Sequence, residues 1–121
     1  MREEISIWLK KARRDLEIAE FNLNGDVLEA AAFYSQQGAE KALKAIYISE
    51  FSKLLRTHDL VKLAKEIKAP TRIIELAAKT TPAYIATRYP DVAESYDEES
   101  VSEVFSASKE ILEWAEKKAS S

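Results

Sequence analysis

The chain has 121 residues, 46% hydrophobic and 32% charged, with a net charge of −3. That length and balance suit one globular domain over residues 1–121 and exclude a disordered chain. The acidic balance also excludes a broadly basic nucleic-acid surface, while leaving room for a local basic patch.

Two Gly and three Pro leave long helices possible and make a turn-rich β fold unexpected. Cysteine is absent, so neither a disulfide framework nor a thiolate metal site is expected. The first residues, MREEISIWLKKARRD, are charged from Arg2 onward and show no signal peptide. No apolar run approaches the roughly 20 residues needed to cross a bilayer. A cytoplasmic protein without a membrane segment is the expectation.

In chain order, the spacing of Ile5, Trp8, Leu9, Ala12, Leu16, Ala19 and Leu23 predicts a first helix from Glu3 to about Leu23. Asn24-Gly25 reads as its stop, with Gly25 in the left-handed cap position. Asp26-Val27-Leu28-Glu29 has the form of a capping box and predicts a second helix, the longest, to about Phe51. Its first half, Val27 to Tyr34, is nearly all apolar or small and is expected at the centre. Its second half regains a polar stripe at Gln37, Glu40, Lys41 and Lys44. Thr57 is the expected cap of a short third helix from His58 to Lys68, ended by Ala69-Pro70. A fourth helix starts near Thr71, and Thr80-Thr81-Pro82 either kinks it or restarts it. Thr87 to Asp97 reads as an ordered loop. Asp97 or Glu98 then opens a last helix, with acids at its start and Lys117 and Lys118 at its end. The fold class is therefore all-α, an up-and-down bundle of about five helices.

Few residues suggest chemistry. There is no Gly-rich phosphate loop, and a lone histidine cannot build a two-histidine metal site, so no metal and no cofactor are expected. Most charged residues suit a solvated surface. Arg56 and His58 flank Thr57 at a helix start, where capping explains the cluster and anion binding is the functional alternative. Arg88, Tyr89 and Asp91 sit together. They read either as a packed loop or as a guanidinium for phosphate beside a ring that stacks on a base. Gln36 and Gln37 are adjacent amides in an apolar helix. They need partners, expected across helices or across a dimer seam, and Glu40 and Lys41 join them as interface or buried polar candidates.

Several of these segments resemble one family. Trp8-Leu9-Lys10-Lys11-Ala12 with Asp15-Leu16 is similar to the opening helix of HEPN domains (higher eukaryotes and prokaryotes nucleotide-binding). Ala31 to Ala45, with its Gln-Gln-x-Ala-Glu-Lys-Ala-Leu-Lys core, resembles that family's second helix. Arg56-Thr57-His58-Asp59-Leu60 and Thr87-Arg88-Tyr89-Pro90-Asp91 follow in the family's order, so the resemblance spans about Ile5 to Trp114. It implies an HEPN-like bundle, often a homodimer with a cleft, of the small prokaryotic kind. It also implies toxin–antitoxin-like pairing with a separate minimal nucleotidyltransferase that carries the transfer chemistry. Related HEPN domains are ribonucleases that use an Arg and a His about one and a half helical turns apart. Here His58 follows Arg56 by two positions and no His follows Arg88, so that motif is absent in its usual form. The expectation is a non-catalytic nucleotide-binding or accessory subunit. A metal-independent ribonuclease acting on RNA and a ligand-free helical dimerisation module are the alternatives.

Overall fold

A computed structural model describes the backbone of residues 2–88 and 97–121 and the side chains of residues 2–81 and 97–121. Five helices follow in order: α1 (Glu3–Asn24), α2 (Leu28–Phe51), α3 (Leu60–Glu66), α4 (Thr71–Arg88) and α5 (Glu98–Ser120). Among the described residues there is no strand.

The helix α1 buries Ile5, Leu9, Ala12, Leu16 and Ala19, a stripe at three- and four-residue steps, against α2. Glu3 and Glu4 occupy its first turn, where the helix dipole favours acids. α1 and α2 run antiparallel, because Arg2 donates to the Ile48 carbonyl (2.7 Å) while Val27 N donates to the Asn22 carbonyl (2.8 Å) at the other end. Their reversal differs from the sequence expectation. Gly25 has φ −88, and the left-handed residue is Asp26, φ 61. Asp26 N donates to the Leu23 carbonyl and Val27 N to the Asn22 carbonyl, the paired closing bonds of a Schellman turn. Asp26 is thus the residue after the helix end. Val27 holds the N-cap position of α2 with no side-chain bond, so the capping box with Glu29 does not form. Aspartate tolerates the left-handed region better than most residues, which lets it take that role.

The burial of α2 also departs from expectation. Leu28, Ala30, Phe33 and Tyr34 are only partly buried, and the longest fully buried run is Ala42 to Ile48. The apolar residues of that run belong to the main core cluster, so the more deeply buried part of the longest helix is its later half.

The short α3 is capped by Asp59, whose carboxylate accepts from Lys62 N at 3.0 Å. Thr57 instead accepts from Asp59 N (3.1 Å), one step earlier than a cap. The helix ends at Glu66, with Lys68 left-handed at φ 54. α4 continues as one element through Pro82 and reaches Arg88, so the segment beginning at Thr87 opens as helix and not as loop. In the turn before the proline, the Thr80 and Thr81 hydroxyls both donate to the Ala77 carbonyl.

Asp97 caps α5 as expected, accepting from Ser100 N at 2.7 Å. α5 runs antiparallel to α1 and α4. Arg13 reaches Glu116 on one side, and Arg72 forms a two-pronged pair with Glu110 (2.9 Å each) on the other. The guanidinium of Arg72 holds the Glu110 carboxyl below its ordinary range, and Glu116 raises Arg13. These exposed pairs set helix register more than stability. The core lies between all five helices, with Leu43, Ile46, Leu60, Leu63, Ile111 and Leu112 fully buried in it.

Candidate functional site

Three polar side chains occupy one face of α2 at four-residue steps, Gln36, Glu40 and Lys44. All three are buried, at 0%, 4% and 8% exposure. A polar stripe was expected at Glu40 and Lys44, with Glu40 among the interface or buried polar candidates, and the structure buries both. The segment between α2 and α3 folds back over this face and brings His58 onto Glu40.

Burial demands partners, and Glu40 supplies them. Its carboxylate accepts from Lys44 Nζ at 2.7 Å and from Gln36 Nε2 at 3.0 Å. His58 Nδ1 lies 2.9 Å from Oε1 and 3.2 Å from Oε2. A carboxylate only accepts, so Nδ1 carries the hydrogen, and Nε2 is the ring nitrogen that Glu40 does not use. Gln37 Nε2 donates to Gln36 Oε1 at 2.7 Å and extends the network by one amide. Within the chain, Gln36 and Gln37 therefore find partners along α2 and not across helices. On the neighbouring face of α2, Lys41 pairs with Asp15 of α1.

The His58 side chain is 54% exposed while Glu40 beneath it is 5% exposed. The ring is thus anchored from below and reachable from outside. A buried carboxylate behind an imidazole fixes its orientation and tautomer, the arrangement found behind many ligand-contacting histidines. Arg56, two residues earlier, is exposed and makes no hydrogen bond or ion pair with the described residues. The start of α3 offers no anion site, because Asp59 already fills it with a negative charge.

Of the residues singled out from sequence, the structure gathers Gln36, Gln37, Glu40 and His58 into one network, and Arg56 is exposed outside it. Lys41 belongs to the adjacent pair with Asp15. Arg88 ends α4, with its side chain outside the described residues, and Tyr89 and Asp91 also lie outside them. Lys44 is a member that sequence reading placed only on a wet stripe. Its four-residue step from Glu40 was the available signal. Among the described residues no group of His, Cys, Asp and Glu could hold a metal ion. Among them, too, no helix is long and apolar enough to cross a membrane.

The HEPN domain model matches residues 5–118. The structure is similar to the crystal structure of TT1696 from Thermus thermophilus, with a TM-score of 0.87 and 28% identity, covering 97% of this chain and 99% of that one. It is similar as well to the crystal structure of ST0689, an archaeal HEPN homologue, with a TM-score of 0.80, 32% identity and 98% of each chain covered. None of the curated proteins matches the sequence.

Proposed function

The chain belongs to the HEPN domain family, and from that premise we propose that it is a nucleotide-binding accessory subunit acting with a separate nucleotidyltransferase. The observation that carries the reading is the buried Glu40 carboxylate holding a half-exposed His58 ring, two residues after the exposed Arg56. The exposed guanidinium suits the phosphates of a nucleotide, and the fixed imidazole donates to them from Nε2 when both ring nitrogens carry a proton. In this reading Arg88 grips a phosphate bidentately and Tyr89 stacks on the base, with Asp91 a further candidate of the same segment.

Titration calorimetry with ATP is the test. Saturable binding is expected for the native chain. Loss of about tenfold in affinity is expected for His58→Ala and for Arg88→Ala, the worth of one charge-assisted contact. Both variants keep the helical circular dichroism of the parent. ATP binding that neither substitution weakens removes both residues from the site. Capture of a small nucleotidyltransferase with the tagged chain from its native lysate tests the partner separately.

A second reading rests on the same geometry. An imidazole oriented by a carboxylate is the equipment of a general base, and a metal-independent ribonuclease needs one. Cleavage of RNA in a chelator-treated sample, abolished in His58→Ala, would favour it. Cleavage that persists in that variant points away from His58.

A further inference from the structure

We propose, resting on the nucleotide reading above, that Gln37 reads the edge of an adenine base and that the Glu40 carboxylate makes it selective by fixing which way its amide points.

The hydrogen bonds from Glu40 to Gln37 can run in only one direction. A carboxylate only accepts, so the Gln36 atom 3.0 Å from Glu40 Oε1 is Nε2. That leaves Gln36 Oε1 as the atom 2.7 Å from the Gln37 amide. A carbonyl oxygen also only accepts, so Gln37 must turn its Nε2 toward it. Turning Gln37 over would set two carbonyl oxygens against each other. Gln36 is fully buried, so water cannot relieve that clash on its side.

Gln37 uses one N–H on Gln36. Its second N–H and its Oε1 have no hydrogen-bond partner among the described residues, and neither atom is sealed in the interior. The side chain is only partly buried. Gln37 therefore offers one donor and one acceptor, with their polarity fixed from below. One turn earlier on the helix surface stand Phe33 and Tyr34, partly buried, with their rings edge to face and centroids 5.3 Å apart. One turn later stands Glu40, which holds His58. A nucleotide with its phosphates on the His58 side brings its base beside Gln37, where the rings of Phe33 and Tyr34 supply apolar surface for the base to pack on.

Adenine fits that edge. Its 6-amino group donates and its N7 accepts, the pair that a glutamine amide takes bidentately. A 6-oxo purine has acceptors at both places, so its O6 would meet Gln37 Oε1, acceptor against acceptor. A freely turning glutamine would rotate and offer N–H to O6 instead. Gln37 cannot do so without breaking its bond to Gln36. Discrimination between 6-amino and 6-oxo purines thus comes from a carboxylate that the base never touches.

Titration calorimetry with ATP and ITP, which differ in the 6-substituent of the purine, tests this on the full chain. The native chain should bind ATP roughly tenfold or more tighter than ITP, the discrimination of one bidentate base contact. Gln37→Leu should lower the affinity for ATP to that for ITP while changing ITP by no more than about twofold. Gln36→Leu keeps Gln37 but frees its amide to turn, so the ratio of the two affinities should fall toward one. A merely structural role for Gln36 would weaken both nucleotides alike and keep the ratio. If the buried Gln36 variant does not fold, the Gln37 variant, at a partly exposed position, still decides. Equal affinity of the native chain for ATP and ITP, or a preference for ATP that survives Gln37→Leu, overturns base reading by Gln37 and leaves the nucleotide site standing. Binding of neither nucleotide by the native chain overturns the nucleotide reading and the role of Gln37 with it.

Discussion

Glu40→Ala is expected to lower folding stability by about 3–5 kcal/mol, the effect of removing one partner from a buried ion pair. In a chain of this length that is a fall in Tm on the order of 10–20 °C. The reason lies in what the carboxylate leaves behind. Lys44 is only 10% exposed in its side chain and has Glu40 as its acceptor. Gln36 is fully buried and donates to the same group. Alanine at position 40 strands an ammonium and an amide donor in the interior, and both lose hydrogen bonds that water cannot replace. Glu40→Gln keeps the volume and one acceptor oxygen but removes the charge, so its cost should be about half. The double variant Glu40→Leu with Lys44→Met removes both charges and should recover most of the loss. His58→Ala should cost under about 1 kcal/mol, because the ring is half exposed and Glu40 keeps its other partners. Urea unfolding of the four variants checks the set. A double variant as unstable as Glu40→Ala would mean that packing at position 40, not the stranded charge, sets the cost.

That network also marks where sequence reading stopped. The helices themselves were legible, because stripes such as Ile5-Leu9-Ala12-Leu16 repeat at the helical period and too few Gly and Pro interrupt them. The family was legible in the run from Ala31 to Ala45, where residue order and not only pattern matches. The burial of Lys44 was not, and Glu40 stood only among the interface or buried polar candidates. A Glu and a Lys four residues apart look the same on a wet helix face and under a folded-back segment. Only the path of residues 52–59, which sequence periodicity does not encode, distinguishes the two. The cap assignments slipped for a related reason. Asp26 suits an N-cap as well as a left-handed turn, and Thr57 and Asp59 both suit a cap, so packing made the choice. The candidate site was read in part. His58 was found as the lone histidine, while its anchor on Glu40 needed the tertiary fold.

Gly38→Val should be as damaging as any core deletion, at about 3 kcal/mol or more, and Gly38→Ala should cost about 1 kcal/mol. Glycine is a poor helix former, and alanine at an open helical position would add about 1 kcal/mol of stability. Position 38 is not open. A Cβ there would stand 2.7 Å from Leu16 Cδ2, 2.9 Å from Leu16 Cγ and 3.1 Å from the Ala12 carbonyl oxygen. The terminal methyl of Leu16 can turn aside, but its branch carbon and the α1 backbone cannot move without separating the helices. Overpacking of this kind costs about 1–3 kcal/mol, which outweighs the propensity gain for alanine and grows with the two further methyl groups of valine. The close approach of α1 to α2 at Gly38 also sets the neighbouring Asp15–Lys41 pair, so the damage spreads along the contact. Gly25→Ala is the control. Its Cβ would meet the Phe21 carbonyl at 3.4 Å, and φ is −88, so it should be neutral within about 0.5 kcal/mol. Leu16→Ala combined with Gly38→Ala should lose less than the sum of the two single variants, since the clash with the Leu16 side chain is gone. Additive losses would show that Gly38 tolerates a side chain and that the two helices are held apart by something other than this contact.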